Sequence, residues 1–386
     1  MLYLLIEIAK ASLVRAMQHL IKAVASGPAQ PSIQSVHIRA DSEGITLTTS
    51  NSHMTVQMNL PRDQGFITVK RPGSIVVPAH YFYNILRKLD DKTITLEIKE
   101  PLILTIVLDH FQMRLCGMDD LGFAVPGYEK EADAAKFRID CALFRSAIKQ
   151  VAGAASTSED RPVLTGVLLE GDQGKLHVTA ADGIRLSSRT LYVESQANPG
   201  FKAIIPAKNV SDISKMLEQE GTAADVEVGH GRIRFVAGSM KIESALIQGT
   251  FPSVKSLNTE SSCCEFIVAR ANLLKAVEGV TIMAGENIIR LEVKGVRMHL
   301  SARAAAIGDV ENEVPVQVIG GEGFVLSLNG KLLIDILRSS DYEYLRIKYA
   351  GSIAPLVIRP DDSLESMLFL ITSVRTPESF SKKNER

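Results

Sequence analysis

A segment of similar sequence occurs three times in this chain of 386 residues, and it constrains the fold more than any other feature. Each copy places a leucine, a second hydrophobic residue and a base in consecutive positions. The leucines are Leu13, Leu143 and Leu273, which lie 130 residues apart, and apolar residues at helical spacing follow each of them. Self-similarity at a fixed period indicates repeated structural units.

A second pattern also occurs once in each third of the chain. A short run of strand-forming residues precedes apolar residues at helical spacing, and proline opens the helix in the first two copies, as its fixed φ permits. The runs are residues 74–79, 202–207 and 324–328, and the helices follow at 81–89, 210–217 and 332–337. Other strand-like stretches are residues 1–6, 37–49, 93–97, 102–108, 167–180, 225–237, 241–247, 288–300, 345–349 and 355–358.

The order of elements is therefore the same in every third: strand, helix, strands, strand, helix, strands. We predict an α+β fold of three tandem domains at residues 1–130, 131–260 and 261–376, followed by a polar tail at 377–386. The alternative, one long α/β enzyme, requires the equal spacings to be accidental.

Cysteine usage and the first residues indicate the compartment. The four cysteines include no C-x-x-C pair and no disulfide pattern, which favours a reducing cytoplasm. The apolar residues 1–6 are interrupted by Glu7 and follow no basic segment. They predict a first β-strand rather than a signal peptide or a membrane span.

The sequence contains almost none of the patterns typical of catalytic or cofactor sites. The phosphate-binding, dinucleotide-binding, nucleophile-elbow and zinc-protease motifs do not occur, and the eight histidines form no metal pair at helical spacing. Ser146 and Lys149 match the S-x-x-K motif of penicillin-recognising enzymes, but no S-D-N or K-T-G follows them. A hydrolase that uses these two residues is the enzyme alternative.

Charge is distributed unevenly between the predicted helices and the rest of the chain. With 43 bases and 44 acids the net charge is −1, which argues against a simple polybasic nucleic-acid binder. The helical segments, residues 9–25, 79–91, 140–154, 207–219, 270–284 and 328–339, contain thirteen bases and seven acids. They carry +6 and the remainder carries −7. Bases spread over several helices suit contacts to phosphates, although exposed helix faces favour Lys and Arg in any protein.

The sequence resembles the bacterial sliding clamp, the β subunit of DNA polymerase III, over about residues 5–376. The most specific segments are STSEDRPVLTG at 156–166, AADGIRL at 180–186, IPAK at 205–208, GTFP at 249–252 and VRT at 374–376. The resemblance implies three DNA-clamp domains per subunit and a head-to-tail homodimer that closes into a ring. Helices would line its channel and sheets would lie outside.

The resemblance implies a processivity factor that encircles duplex DNA irrespective of its sequence and has no catalytic residue, cofactor or metal. It implies no membrane contact. The residues that would face DNA in the channel are Lys10, Arg15, Lys22, His80, Arg87, Lys88, Arg145, Lys149, Lys208, Lys215, Lys275, Lys331 and Arg338. A scaffold that keeps the clamp fold without encircling DNA is a further alternative.

The resemblance also implies a hydrophobic groove that binds short peptides of the polymerase III α subunit, the clamp loader and repair proteins. Of its predicted residues, Arg185 stands out, because a charged residue inside an apolar run must usually reach solvent or a partner. One side of the groove would comprise Leu164, Ala181, Gly183, Ile184, Arg185, Leu186, Pro252 and Leu257. The other would comprise Asn329, Leu332, Ile353, Leu370, Ile371, Thr372, Ser373, Val374 and Arg375.

Ring closure would require an edge of the first domain to meet an edge of the third. The predicted interface residues are Leu104 and Ile106 on one side and Ile282 and Met283 on the other.

Several groove positions depart from the family pattern. Ile184 stands where histidine is common, Ala181 where threonine is frequent, and Ser373 where proline is usual. These changes predict a divergent or secondary clamp with an altered preference for its partners.

Overall fold

The computed structural model describes residues 4–25, 30–62, 67–90, 92–121, 123, 134–195, 200–252, 263–304, 307–351, 354–361 and 367–375. These residues form six α-helices and 27 β-strands. The helices are α1 Lys10–Leu20, α2 Ala79–Leu86, α3 Cys141–Val151, α4 Ala207–Glu220, α5 Arg270–Thr281 and α6 Gly330–Ser339. Among these residues no helix is both long and apolar enough to cross a membrane.

The strands are short and lie between the helices. They are β1 Leu5–Ala9, β2 Ser35–Ala40, β3 Gly44–Ser50, β4 Met54–Pro61, β5 Ile67–Arg71, β6 Gly73–Pro78, β7 Thr93–Glu100, β8 Ile103–Leu108, β9 Phe111–Cys116, β10 Ala135–Asp140, β11 Gly166–Asp172, β12 Lys175–Ala181, β13 Arg185–Tyr192, β14 Glu194–Ser195, β15 Phe201–Pro206, β16 Ala223–Val228, β17 Arg232–Ala237, β18 Met240–Ala245, β19 Cys264–Ala269, β20 Ile288–Lys294, β21 Arg297–Ala304, β22 Gly308–Pro315, β23 Gln317–Gly321, β24 Phe324–Asn329, β25 Tyr344–Tyr349, β26 Leu356–Pro360 and β27 Met367–Ile371.

The structure confirms the threefold repeat of elements. In each third, a strand leads directly into a helix at two places: β1–α1 and β6–α2, β10–α3 and β15–α4, β19–α5 and β24–α6. The repeated leucine is buried in α1 and α5, where Leu13 and Leu273 are fully buried. Helical spacing therefore marks the same face of each of these two helices, and burial of that face anchors the helix to its sheet.

The chain divides into two compact units, and paired strands hold each of them together. The first comprises Met1–Ala142, Val193–Pro199 and Lys208–Leu246, and the second comprises Leu143–Tyr192, Gly200–Ala207 and Ile247–Arg386. Each unit contains strands from two of the predicted thirds, because strands from different thirds pair edge to edge. The domain boundaries near residues 130 and 260 stay a prediction.

The first unit contains two antiparallel sheets. One has the order β5-β1-β7-β8-β9, and the other has the order β14-β10-β16-β17-β18-β4-β3-β2-β6. The second sheet is continuous because β18 pairs with β4, with Ile242 opposite Val56. Helices α1 and α2 pack on each other, and Met17 and Phe82 are fully buried.

The second unit also contains two antiparallel sheets. Their orders are β15-β11-β12-β13-β27-β26-β25-β19-β23 and β22-β21-β20-β24. The longer sheet is continuous because β13 pairs with β27, with Leu186 opposite Leu370. Helices α5 and α6 pack together, and the core around them includes Leu333, Phe266 and Phe369.

The predicted edge strand of the first domain is wrong. β8 lies between β7 and β9, and the side chains of Leu104 and Ile106 are fully buried in the subunit. Neither side chain has surface left for a second copy. The edges of this sheet are β5 and β9 instead, and Phe111 at the start of β9 is 41% exposed.

Candidate functional site

A second, smaller apolar cluster lies outside the main core of the second unit. It brings together four predicted groove residues, Leu164, Ala181, Leu186 and Leu370. The other members are Leu168, Ile204, Phe251 and Val357, with Val163, Ile247 and Leu368 packed against them. The sequence prediction missed these seven residues, although alternation along β26 and β27 places Val357 and Leu368 on the same side as Leu370.

Successive side chains of β27 lie on opposite faces of the sheet, so only some of its residues join the smaller cluster. The same alternation explains why the groove prediction for Ile371 is wrong. Met367, Phe369 and Ile371 belong to the main core, whereas Leu368 and Leu370 face the smaller cluster. Ile371 is fully buried in the main core and does not line the groove, because successive side chains of a strand point to opposite faces.

The segment after β27 crosses the end of β13 and is held by backbone contacts. The backbone N–H and the hydroxyl of Thr372 both donate to the carbonyl oxygen of Ile184, at 2.9 and 3.0 Å. The N–H of Val374 donates to the carbonyl oxygen of Ser327 at 2.7 Å. This segment includes the predicted groove residues Thr372, Ser373, Val374 and Arg375, and the structure places Thr372 next to Ile184.

Exposed residues surround the apolar cluster. Ile184 is 49% exposed, and Pro252 is exposed directly after Phe251 of the cluster. Gly183 adopts φ +94°, a left-handed conformation that favours glycine and turns the chain sharply before Ile184. The members of the cluster are themselves buried, and Ile184 and Pro252 are the exposed apolar residues next to them in the sequence.

The start of α6 contributes the remaining described groove residues. Asn329 is the N-cap of α6, and its Oδ1 accepts a hydrogen bond from the N–H of Leu332 at 3.2 Å. Leu332 is partly buried against the main core. Two predicted residues, Leu257 and Ile353, lie outside the described residues.

Of the two outcomes that the sequence left open for Arg185, solvent or a partner, the structure shows partners. Its side chain is 11% exposed, and all three guanidinium nitrogens donate hydrogen bonds within the subunit. Nε contacts Asp182 Oδ2 at 3.1 Å, Nη1 contacts Asp335 Oδ2 at 3.0 Å, and Nη2 contacts the carbonyl oxygen of Gly153 at 2.6 Å. The partner that this charge requires is supplied by the protein itself.

The thirteen predicted DNA-contacting residues all reach the surface. Ten are exposed, and Lys10, Lys22 and Arg145 are half-buried. Some take part in ion pairs. Lys149 lies 3.4 Å from Asp341, and Arg338 lies 2.8 Å from Glu278.

A charged triad in the first unit includes one of these bases. Glu220 Oε1 lies 3.1 Å from His19 Nε2 and 3.1 Å from an Nη of Arg15. The side chains of Glu220 and His19 are almost fully buried. The hydrogen bond from His19 is the main cause that holds the pKa of the Glu220 carboxyl below its ordinary value of 4.5, and Arg15 adds to this effect.

The proposed serine and lysine pair of a hydrolase does not form a nucleophile. The Ser146 hydroxyl accepts a hydrogen bond from Arg189 at 2.9 Å, and Lys149 faces Asp341. Neither contact activates the serine, because the hydroxyl needs a nearby base to remove its proton.

Other reactive groups give no sign of an active site in the described part of the chain. Burial raises the pKa of the Cys141 thiol to about 11, so this cysteine is a poor nucleophile at neutral pH. No group of three or more His, Cys, Asp or Glu residues is placed to hold a metal ion among the described residues.

Two exposed apolar features lie at sheet edges or next to them. In the first unit, a cleft of about 650 Å³ is lined by residues of α2, of the turn that follows it and of β9, namely Tyr81, Asn84, Ile85, Arg87, Lys88, Leu89, Phe111 and Met113. In the second unit, the predicted interface residue Ile282 follows α5 and is 83% exposed, and Met283 is half-buried. An exposed isoleucine beside a helix end and an open apolar cleft each suit a protein interface.

The chain matches three domain models of the DNA polymerase III beta subunit in succession. The N-terminal domain model matches residues 4–122, the central domain model 138–253 and the C-terminal domain model 260–371. The beta sliding clamp of Bacillus subtilis is 29% identical over 377 residues, which are 96% of this chain and 99% of that protein. That of Halalkalibacterium halodurans is 31% identical over 373 residues, 94% of this chain and 97% of that protein.

A solved structure agrees with this relationship. The crystal structure of the DNA polymerase sliding clamp from Bacillus subtilis matches with a TM-score of 0.91 at 28% identity, and the match covers 97% of this chain and 100% of that one.

Proposed function

Because the chain belongs to the DNA polymerase III beta subunit family, the bacterial beta sliding clamps, we propose that it is a non-catalytic ring that encircles duplex DNA in the cytoplasm and tethers replication proteins to it. The observation that carries this proposal is the succession of all three clamp-domain models along residues 4–371. The domain boundaries near residues 130 and 260 are part of the same proposal.

The exposed bases of the helices support sequence-independent contact with DNA. Lys and Arg on exposed helix faces bind phosphates, which are the same at every position along the duplex. Acids that pair with Arg15, Lys149 and Arg338 moderate this attraction. A ring that holds DNA by topology needs only weak contacts, and weak contacts permit sliding.

We propose a head-to-tail dimer with an interface that differs from the one predicted by sequence. On one copy it uses β9 and the cleft beside it, with Phe111 and Met113 in place of Leu104 and Ile106. On the other copy it uses Ile282 and the edge strand β22.

The first of these two interface surfaces carries bases and the second carries exposed acids. The bases are Arg114 together with Arg87 and Lys88, which this interface would take from the predicted DNA-contacting set, and the acids are Asp309, Glu311 and Glu313. Different patches on the two copies form a heterologous contact, which gives a ring when the rotation closes.

The apolar cluster around Leu164, Leu186 and Leu370 is proposed as the groove for peptides of the polymerase α subunit, the clamp loader and repair proteins. Apolar anchors with few polar groups suit capture of a peptide's large side chains. Pro252 and Ile184 would form its exposed rim.

Retention on DNA of defined topology tests the proposed ring. Loaded by a clamp loader on nicked circular DNA, the protein is expected to stay bound through gel filtration and to leave when the circle is cut, because a ring slides off a free end. The control is the same DNA cut before loading. Equal retention on circular and linear DNA would contradict encirclement and support a scaffold that binds DNA by contacts alone.

Peptide affinity tests the divergence of the groove. We expect a consensus clamp-binding peptide to bind about two- to tenfold more weakly than to the Bacillus subtilis clamp, because Ile184 cannot make the hydrogen bond of a histidine. The measurement is isothermal titration of both proteins, with Ile184→His as the matched variant that recovers part of the affinity. Equal affinity would contradict an altered preference for partners.

A further inference from the structure

We propose that Arg185 is a positioning residue that ties the two sides of the peptide groove together and does not itself contact the peptide. This inference rests on the proposed function, since it assumes that the groove binds a partner peptide. It follows from the hydrogen bonds of Arg185 and from the elements that those bonds connect.

Three of the five N–H groups of the Arg185 guanidinium donate hydrogen bonds within the subunit. Its three nitrogens already donate to Asp182, Asp335 and the carbonyl oxygen of Gly153, and 11% of the side chain is exposed. A peptide that bound the N–H groups already bonded to Asp182, Asp335 or Gly153 would have to displace that acceptor. Loss of an existing charge-assisted hydrogen bond offsets the gain from a new one.

The same bonds join segments that are far apart in sequence. Arg185 begins β13 on one side of the groove, whereas Asp335 belongs to α6, which begins with Asn329 and Leu332 on the other side. Gly153 belongs to the 3-10 turn that follows α3. One side chain therefore links β13, α6 and this turn by hydrogen bonds.

The turn before Arg185 connects the guanidinium to Ile184 at the rim of the groove. Asp182 Oδ1 accepts hydrogen bonds from the N–H groups of Ile184 and Arg185 at 2.8 and 2.9 Å, while its Oδ2 accepts from the guanidinium. The carbonyl oxygen of Ile184 then accepts two bonds from Thr372. Displacement of Arg185 would shift the exposed Ile184 and the segment 372–375 together.

A variant of Asp335 separates the two possible roles of Arg185. The side chain of Asp335 is 57% exposed, and its carboxylate accepts a hydrogen bond from Arg185 on the other side of the groove. If Arg185 positions the groove, Asp335→Ala weakens peptide binding by about two- to fivefold, the range for an ion pair of this exposure. If Arg185 instead binds the peptide, Asp335→Ala frees the guanidinium and leaves the affinity unchanged or higher.

A double-mutant cycle completes the test. We expect Arg185→Ala to weaken binding by about tenfold, and the double variant to lose no more than Arg185→Ala alone, because both changes break the same link. Asp335→Glu, which keeps the carboxylate, is expected to recover most of the affinity. Glu278→Ala is the matched control, since it removes an exposed ion pair with Arg338 and should not change peptide binding.

Amide hydrogen exchange without peptide provides a readout that does not depend on binding. The Thr372 amide, which donates to Ile184, is expected to exchange faster in Asp335→Ala and in Arg185→Ala than in the unaltered protein or in Glu278→Ala. Unchanged exchange together with unchanged affinity in Asp335→Ala would overturn the positioning role. Failure of the unaltered protein to bind any clamp-binding peptide would overturn the proposed groove function instead, and the exchange rates would still test the link.

Discussion

Replacement of Ile282 by aspartate is expected to raise the dissociation constant of the dimer by at least about a hundredfold, the effect of losing a central interface residue. Ile282 is 83% exposed in the isolated subunit, so the substitution removes little packing there. In the proposed interface, the new carboxylate would be desolvated against the apolar cleft that contains Phe111 and Met113. Burial of a charge is costly, and Arg87 and Lys88, which also line this cleft, offset only part of the desolvation.

Sedimentation at micromolar concentration measures the effect. The unaltered chain is expected to sediment as a dimer and the Ile282→Asp variant as a monomer. Tyr192→Asp is the matched control, because Tyr192 is 77% exposed in the same unit and lies outside the proposed interface. A variant that stays dimeric would show that the chains associate through another surface.

Loss of the dimer should also abolish retention on circular DNA, although every exposed base of the helices is still present. The DNA contacts and the ring closure would then be separated experimentally. Retention by a monomeric variant would contradict topological binding.

The helices could be predicted from sequence because their signal is local and occurs three times. The apolar spacing after Leu13 and Leu273 is a property of a single helix face, and burial of that face requires only an adjacent sheet. The pairings of β18 with β4 and of β13 with β27 could not be predicted in this way, because strand alternation identifies a buried face without identifying the neighbouring strand.

The wrong edge strand has a physical explanation. β8 has an almost continuous apolar sequence because it is covered by neighbours on both sides, whereas the edge strand β9 mixes apolar and polar residues. Natural sheet edges are commonly made less apolar, since an unpaired apolar strand promotes aggregation. A continuous apolar sequence such as that of β8 therefore indicates an interior strand rather than an edge strand.

The groove could be predicted in part. Leu164, Leu186 and Leu370 were placed in it by resemblance, and the structure brings them together. Ile371 was placed there wrongly because β27 is apolar on both faces, so its sequence shows no alternation. The hydrogen bond between Arg185 and Asp335 joins residues that are 150 positions apart, and neither residue carries a local signal of the other.

Replacement of Glu220 is expected to produce the largest loss of stability among these changes. Glu220→Ala leaves the buried Nε2 of His19 without its acceptor, in addition to the Nδ1, which has no hydrogen-bond partner among the described residues, and it removes the partner of Arg15. We expect the free energy of unfolding at pH 7 to fall by about 2–3 kcal/mol, the cost of a buried polar group left unsatisfied. Urea denaturation measures it, and Gln219→Ala, an exposed change on the same helix, should have little effect.

The pH dependence of the stability lost on replacing Glu220 shows how much of that loss comes from the charge of its carboxylate. The pKa of Glu220 is lower in the folded chain than its ordinary value of 4.5, so the ionised carboxylate favours the folded state. This contribution is complete above the unfolded pKa and is lost as the pH falls through the folded pKa. Glu220→Gln, which keeps the shape of the side chain, should therefore destabilise the protein by about 1–2 kcal/mol at pH 7 and progressively less as the pH falls below about 4.5. A difference between Glu220→Gln and the unaltered chain that stays constant down to pH 3 would show that the carboxylate stabilises the fold by packing rather than by charge.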